Sequence, residues 1–359
     1  MTLRKFLKGF AIAAGCIIAA AVLCVAALFA VLTIKEYRPA PVEAVKVNGT
    51  ASERISKGDS LTIATWNIGY GALGDNADFF MDGGTHVMTA DSNRVMENMS
   101  GIINELKSTD PQIIFLQEVD IKSKRSHYID QTALLSQAFP YSQNTFATNF
   151  DVIFNPVPIP PIGKVYAGIM TLSKFPVTSS ERIQLPCPFK WPLRVGNLKR
   201  CLMVSRIPVA GSGNELVLVN LHLEAYDSGE GKIAQTNQLK DFIQSEYEKG
   251  NYVIAGGDFN QTFSNTGLDD FPVYEGMWQP GIIDIAEFSG DWTFLMDETE
   301  ASCRSLDRPF LGELKRDFQF YIIDGFIVSG NIKVNSLKTH QMNFVSSDHN
   351  PVVMNVTLE

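Results

Sequence analysis

Cysteine is scarce in this chain of 359 residues, and the sequence motifs of several large enzyme classes are missing. Two of the five cysteines lie in an apolar N-terminal run, so Cys187, Cys201 and Cys303 allow one intrachain disulfide at most. No Cys-x-x-Cys pair occurs, which argues against a structural zinc site. The chain also has neither a Gly-x-Ser-x-Gly elbow nor a phosphate loop that ends in lysine. Serine hydrolases and nucleotide-triphosphate machines therefore have no support.

Charge is absent from Gly9 to Ile34, a run rich in alanine, isoleucine, valine and leucine. A membrane span needs about 20 such residues. Because Arg4, Lys5 and Lys8 precede the run, we predict a single-pass anchor with its N-terminus in the cytoplasm and the remainder extracytoplasmic. A signal peptide cleaved near Ala19–Ala21 stays open as an alternative, although its apolar core would normally be only about 7–15 residues long.

The composition after this run is that of a globular domain with an excess of acid. The formal charge of the whole chain is −9, and without the four basic residues of the N-terminal segment the remainder carries about −13. Such a surface gives no long-range attraction for nucleic acid. We predict an anchor at 1–35, a linker rich in proline, glycine and polar residues at 36–60, and a catalytic domain at 61–359.

Polar side chains recur where apolar, β-rich segments stop. The clearest case is Tyr252–Ile254, a predicted strand that runs into Gly256-Gly257-Asp258-Phe259-Asn260. An aspartate also interrupts the apolar run 320–328, where it is costly unless paired. Strands that alternate with helical segments predict an α/β sandwich with functional groups at the ends of its sheets. The residues at these strand ends are Asn67, Glu118, His222, Asp258, Asn260, Asp324, Asp348 and His349.

The chemistry of this set indicates a metal-dependent hydrolase. Carboxylate and amide oxygens are ligands for a magnesium-type ion, whereas zinc would require more histidine or cysteine. The two histidines can hold or transfer a proton near neutral pH. Each of these residues alone has an ordinary structural explanation, and their joint occurrence favours an active site.

The motifs that carry these residues resemble those of the endonuclease/exonuclease/phosphatase superfamily, which includes deoxyribonucleases, sphingomyelinases and inositol-polyphosphate phosphatases. The resemblance extends from about residue 61 to 358 and implies a four-layer α/β sandwich. The matching segments are Thr65-Trp66-Asn67-Ile68-Gly69, Gln117-Glu118-Val119, Tyr166-Ala167-Gly168, Leu172-Ser173-Lys174, Asn220-Leu221-His222-Leu223, Gly257-Asp258-Phe259-Asn260 and Ser347-Asp348-His349.

The resemblance implies a role for each of these residues. Glu118 is expected to be the principal ligand of Mg²⁺, or of Mn²⁺ as an alternative, with Asn67 and Asp348 completing the metal shell. His349 is expected to be the general base for the attacking water, with its imidazole oriented by Asp324.

The remaining site residues are expected to contact the phosphoryl group. Asp258 and Asn260 would position the water and hold the phosphate, and His222 would stabilise the developing charge or assist the leaving oxygen. Arg200 and Tyr166 are looser matches, at positions where the family has groups that bind substrate.

The expected function is therefore a membrane-anchored, Mg²⁺-dependent phosphoesterase that uses in-line attack of water on a phosphodiester or phosphomonoester. A lipid or small phosphoester is favoured as substrate, because two apolar loops, 146–163 and 186–192, would suit a membrane surface if exposed. A nuclease acting on DNA or RNA is the alternative. An inactive, membrane-tethered binding module is a further alternative of another class. No protein partner is evident.

Overall fold

The computed structural model describes residues 3–359, so that Met1 and Thr2 of the predicted anchor lie outside the described residues. Two packed β-sheets are covered by helices on their outer faces, which confirms the predicted four-layer α/β sandwich. The α-helices of residues 3–359 are α1 (Leu3–Ile34), α2 (Ser92–Thr109), α3 (Gln131–Ala138) and α4 (Glu230–Glu248).

The strands form two large sheets and two small ones. In spatial order, the first sheet contains β1 (Val42–Ala44), β8 (Ser179–Gln184), β9 (Cys201–Ala210), β10 (Glu215–His222), β11 (Tyr252–Asp258), β17 (Asp324–Ser329) and β14 (Trp292–Leu295), with β3 (Ile55–Ser56) beside β9. The second contains β18 (Ile332–Thr339), β19 (Val352–Leu358), β4 (Ser60–Asn67), β5 (Ile113–Asp120), β7 (Gly163–Ser173), β6 (Gln143–Asn155) and β2 (Asn48–Gly49). The small sheets pair β12 (Gln261–Phe263) with β13 (Gly281–Ile283) and β15 (Cys303–Arg304) with β16 (Phe320–Tyr321).

The central strands are apolar throughout because both of their faces are buried. In β10, Leu216 and Leu218 pack between the two sheets, whereas Val217 and Val219 pack with residues of α4 on the outer face. The alternation follows from the two-residue period of a strand. Burial of each such side chain contributes about 1.5–3 kcal/mol, so these strands hold the layers together and fix where their polar ends emerge.

Helix α2 begins where its capping residue predicts. The carboxylate of Asp91 accepts a hydrogen bond from the backbone N–H of Arg94 at 2.8 Å, which satisfies one free donor of the first turn. The apolar side chains that follow at helical spacing, including Met99 and Ile102, are buried against the outer face of the second sheet.

A buried polar cluster joins the two sheets directly behind their polar ends. Gln117 of β5 donates through Nε2 to Oδ1 of Asn220 in β10 at 2.8 Å, and Asn220 donates in turn to the carbonyl of Met170 at 2.9 Å. Because an unpaired amide in this apolar interior would be costly, the cluster favours one register between the sheets.

Two segments differ from what the sequence predicts. Residues 36–60 are not a free linker, because β1, β2 and β3 pair with β8, β6 and β9 of the two sheets. The apolar run 320–328 forms two strands, and Asp324 begins the second of them instead of lying within one. The prolines of the segment 146–163 predict loop or sheet edge, and the structure agrees, because residues 146–155 lie in the edge strand β6 and the prolines follow in a loop.

Helix α1 projects from the sandwich. Its segment Leu7–Ile34 is long and apolar enough to cross a membrane, and no other helix within residues 3–359 meets that test. Most of its side chains are exposed, for example Ile17 at 71%, so α1 is not the core helix of a soluble domain. Its last turns contact the sandwich, where Leu32 is buried.

Candidate active site

The ends of neighbouring strands bring the predicted site residues together. Strands β10 and β11 run parallel, which places His222 opposite Asp258, and β17 pairs with β11 so that Asp258 lies opposite Asp324. In the second sheet β4 and β5 are also parallel, and Asn67 ends β4 opposite Gln117. The polar ends of both sheets therefore meet at one edge of the sandwich.

The glycines before Asp258 are required by the packing of β11. A Cβ atom on Gly257 would lie 1.9 Å from the carbonyl oxygen of Leu221, and its φ of +150° is unfavourable for other residues. A Cβ atom on Gly256 would lie 2.4 Å from the ring of Phe326. The two glycines thus let β11 lie close to its neighbours and carry Asp258 into the site.

Glu118 reaches the site through a β-bulge. The register between β5 and β7 shifts between Leu116 and Val119, and Glu118 has a φ of +54°. This conformation is costly for a residue with a side chain, by about 1–3 kcal/mol, and is common at functional sites. Its carboxylate lies 3.5 Å from Nδ2 of Asn67 and lines the cavity described below.

His349 and Asp324 form a buried pair with the geometry of a general base and its orienting group. Nδ1 of His349 lies 2.8 Å from Oδ2 of Asp324, and Nε2 lies 3.8 Å from Oδ2 of Asp258. Burial alone would lower the pKa of His349, but the negative charge of Asp324 holds it well above the ordinary value. Nδ1 is thus committed to Asp324, and Nε2 faces the other polar residues.

The loop that carries His349 is held from two sides. The indole Nε1 of Trp66 donates to the carbonyl of His349 at 2.8 Å, and the hydroxyl of Ser347 donates to the carbonyl of Asn67 at 2.8 Å. Trp66 is fully buried in β4. The second sheet therefore fixes the position of His349, whose partner Asp324 lies on the first sheet.

His222 faces Asp258, with Nε2 3.4 Å from Oδ2 of that carboxylate. Burial and the positive charge of Arg200 lower the pKa of His222 well below its ordinary value. Its Nδ1 is buried without a hydrogen-bond partner among residues 3–359. A neutral imidazole with one free nitrogen can donate to or accept from a phosphoester oxygen.

Arg200, predicted to bind substrate, makes its closest polar contacts with other residues of the protein. Its guanidinium donates to the carbonyl of His222 at 3.1 Å and lies 3.3 Å from the carboxylate of Glu224. Arg200 lines the cavity, but these contacts already use some of its N–H donors. Asn260 is held in a similar way, because its Nδ2 donates to the carbonyl of Leu223 at 2.9 Å.

The carboxylates of the site repel one another. Burial together with the charge of Asp324 raises the pKa of Asp258 to about 7, and burial together with the charge of Glu118 raises the pKa of Asp348 to about 6. A divalent cation would relieve this repulsion, and oxygen donors are the ligands such an ion prefers. The donor set therefore fits a magnesium-type ion, with Glu118, Asn67 and Asp348 as the predicted holders.

A second cluster of possible ligand atoms overlaps this set. One atom each of Asp258, Asp324 and His349 lies within 4.8 Å of the others. Because Oδ2 of Asp324 already accepts the hydrogen bond of His349 Nδ1, this cluster suits proton transfer better than ion binding.

The site lies in a cavity of about 420 Å³. Of the ten predicted residues, Asp324 and Tyr166 do not line the cavity, although Asp324 contacts His349 from behind it. Tyr166 faces the other side of β7 because its neighbour Ala167 lines the cavity and strand side chains alternate. Its hydroxyl accepts from Thr148 at 3.4 Å instead. The other predicted residues line the cavity, namely Asn67, Glu118, Arg200, His222, Asp258, Asn260, Asp348 and His349.

Sequence reasoning missed several polar residues of the cavity. Arg125 stacks on Tyr70, with its guanidinium carbon 3.8 Å from the ring centroid, and pairs with Asp120 at 3.0 Å. Asp82 accepts a hydrogen bond from the hydroxyl of Tyr226 at 2.9 Å. Asp82 lies in a glycine- and aspartate-rich loop, where the sequence offers no pattern that separates a site residue from a solvated one.

Comparison with known proteins supports the family that the motifs resemble. Residues 64–349 match the model of the Endonuclease/Exonuclease/phosphatase family. Comparison with curated protein sequences yields no match.

Several solved structures share the fold at low identity. One is an endonuclease/exonuclease/phosphatase from Beutenbergia cavernae DSM 12333, with 20% identity, a TM-score of 0.55, and coverage of 83% of this chain and 72% of that chain. The catalytic domain of human Nocturnin has 18% identity, a TM-score of 0.52, and coverage of 88% and 98%. ANGEL2, a 2',3'-cyclic phosphatase, has 15% identity, a TM-score of 0.56, and coverage of 88% and 99%.

Proposed function

Since this chain belongs to the endonuclease/exonuclease/phosphatase family, whose members are metal-dependent hydrolases of phosphoric esters, we propose that it is a membrane-anchored phosphoesterase that uses Mg²⁺. The observation that carries the proposal is the pair of His349 and Asp324, with Asp258 beside it, at the edge of a cavity that also contains Glu118. A base, its orienting carboxylate and a set of oxygen ligands are thus assembled around one space.

In the proposed mechanism, His349 removes a proton from the attacking water through Nε2. The hydrogen bond from Nδ1 to Asp324 fixes the tautomer and stabilises the imidazolium that forms. Asp258, which lies 3.8 Å from Nε2, positions the water. General-base catalysis of this kind typically contributes about 10²–10⁴-fold to a rate.

The other residues bind the phosphoryl group and its charge. His222 offers its neutral imidazole to the phosphoester or leaving oxygen, and Asn260 contributes a polar contact at the same edge. Glu118, Asn67 and Asp348 would hold a divalent cation, which would supply Lewis-acid stabilisation of negative charge on the phosphoryl oxygens. Loss of this polar set would be expected in an inactive binding module, and the set is complete here.

We infer that a lipid or small phosphoester is preferred over a nucleic acid. The cavity walls are mainly apolar, including Phe79, Phe80 and Phe150, which suits a hydrocarbon better than a phosphodiester backbone. The formal charge of −9 gives no general attraction for a polyanion. Neither feature supports a long basic groove of the kind that tracks nucleic acid.

We further propose that α1 is an uncleaved anchor with a cytoplasmic N-terminus, so that the sandwich is extracytoplasmic. Protease added to intact cells would then degrade the sandwich, and N-terminal sequencing of the membrane fraction would find residues before Leu7. A soluble product that begins near residue 22 or 31 would show a cleaved signal peptide instead.

A panel of substrates tests the proposed function. The full chain in lipid nanodiscs is assayed with bis-p-nitrophenyl phosphate, phospholipid vesicles and plasmid DNA at equal Mg²⁺. We expect hydrolysis of the first two and little nicking of the plasmid. Efficient nicking without vesicle hydrolysis would establish the nuclease alternative, and inactivity on all three would favour the binding module.

A further inference from the structure

The catalytic cavity extends to the membrane helix. One end holds Glu118 and His349, and the other end is lined by Phe29 and Leu32 of α1. Between them the wall consists of apolar side chains from three loops, including Phe79, Val157, Ile162, Leu193 and Val195. A single space thus joins the polar ends of the sheets to the last turns of the helix that we propose as the anchor.

The last turns of α1 are fixed against the sandwich by polar contacts. Glu36, whose side chain is 1% exposed, pairs with Arg194 at 2.8 Å and with Lys199 at 3.3 Å. The indole of Trp191 donates to the hydroxyl of Thr33 at 3.0 Å. Because removal of one partner from a buried ion pair is costly, this end of α1 does not swing freely on a linker.

With α1 spanning a membrane as proposed, the same contacts would place the cavity wall at the depth of lipid. Phe29 lies five residues before Ile34, about 7–8 Å along the helix axis from the end of the span. Its ring packs edge-on against Trp191 with a centroid distance of 6.2 Å, so the loop that carries Trp191 reaches the same level. Trp191 is 58% exposed and Ile159 is 93% exposed, as expected for side chains at a bilayer boundary.

Some residues of the two apolar loops, 146–163 and 186–192, line the cavity, and others are exposed. Phe150 and Ile162 are buried, and both line the cavity. Ile159 and Trp191 are exposed, and Phe154 is 37% exposed. The loops therefore contribute to the cavity wall on one side and to a membrane-facing rim on the other.

We propose that the end of α1 is part of the substrate site and binds the hydrocarbon chain of a membrane-resident phosphoester. The phosphate would lie among Glu118, His222 and His349, and the chain would run along the apolar wall to Phe29 and Leu32. The substrate would then reach the site laterally from the bilayer. This inference rests on the proposed function, and it names a lipid as occupant because the apolar wall is continuous with both the catalytic groups and the membrane span.

Alkyl p-nitrophenyl phosphodiesters of increasing chain length test this proposal, since every member of the series has the same leaving group. The full chain in nanodiscs is assayed with Mg²⁺, each ester being kept below its micellar concentration. We expect kcat/KM to be at least about tenfold higher for the dodecyl than for the butyl ester, since each buried methylene contributes about fourfold and burial of only two of the eight additional methylenes would exceed this factor. The ratio of these two values should fall about tenfold in Phe29→Ala and Leu32→Ala, because each loses buried apolar area.

Matched variants distinguish the effect of changing the cavity wall from the general effect of altering α1. Val25→Ala alters an exposed side chain one turn before Phe29 that does not line the cavity, and it should leave the ratio unchanged. Phe29→Leu keeps an apolar wall and should restore most of the ratio.

The remaining outcomes would overturn the proposal. A wild-type ratio near one would exclude a hydrocarbon site, even if bis-p-nitrophenyl phosphate is still hydrolysed and the proposed function stands. An equal fall of the ratio in Val25→Ala and Phe29→Ala would assign the effect to the bilayer instead of the wall. An equal loss on both esters in Phe29→Ala would assign that residue a structural role. Failure to hydrolyse any ester would refute the proposed function itself.

Discussion

Replacement of Asp324 by asparagine isolates the contribution of the carboxylate that orients His349. Asparagine preserves the volume of a side chain that is 1% exposed but removes the charge from a hydrogen bond of 2.8 Å. A hydrogen bond to a charged group contributes about 1.5–3 kcal/mol, which corresponds to about a 10- to 150-fold change in rate. We therefore expect Asp324→Asn to lower kcat for bis-p-nitrophenyl phosphate by about that factor.

The pH profile of the same variant provides a second readout. The charge of Asp324 raises the pKa of His349, so the neutral base is lost as the pH falls through that raised value. In Asp324→Asn the pKa falls, and the acid limb of kcat/KM should move to lower pH while its plateau decreases. Asp297→Asn removes another buried carboxylate, which accepts from Thr299 and Thr339 outside the cavity, and should leave the profile unmoved. A rate within threefold of wild type, or an acid limb that does not move, would refute the role of the pair.

Three further variants test the metal site, the site scaffold and the stability of the sandwich. Glu118→Gln should raise the Mg²⁺ concentration for half-maximal activity at least about tenfold, and an unchanged value would remove Glu118 from the metal shell. Gly257→Ala places a methyl group 1.9 Å from a backbone oxygen, so the melting temperature should fall by the equivalent of about 3 kcal/mol, unlike that of Gly213→Ala in open space. Burial alone would raise the pKa of Glu246, but the hydrogen bond from Arg206 helps to lower it to about 2. Glu246→Gln should therefore destabilise the chain by about 1–3 kcal/mol at pH 7. That difference is present above about pH 4.5 and should vanish as the pH falls toward 2; a constant difference would show that the charge is not its origin.

The sheets and most residues of the candidate site were predictable because buried strands leave a strong signal. Strands such as β10 and β11 are apolar on both faces, so a polar residue at the end of such a run stands out. Asp258 and His222 were found in this way, and the structure places them opposite each other. Asp324 was found by the same logic, because a carboxylate beside buried hydrophobic residues requires a partner, and His349 is that partner.

The features that the sequence did not reveal depend on contacts between distant segments. The bulge that directs Glu118 into the cavity arises from pairing with β7, about 50 residues further along the chain. Tyr166 was assigned to the site from a motif, but the alternation along β7 turns it away. Residues 36–60 have the composition of a linker, yet short strands and the buried Glu36 attach them to the sandwich. Such contacts leave no periodic pattern in the local sequence.

Removal and restoration of the metal test most directly the central claim, that this chain is a Mg²⁺-dependent phosphoesterase with His349 as its general base. The full chain is stripped of divalent ions with a chelator, and hydrolysis of bis-p-nitrophenyl phosphate is measured before and after titration with Mg²⁺, in parallel with His349→Ala. We predict that activity disappears on stripping and returns with Mg²⁺ in the wild type, while His349→Ala stays at least about a hundredfold slower at saturating Mg²⁺. Full activity in the stripped protein, or equal restored rates for the two proteins, would contradict the account.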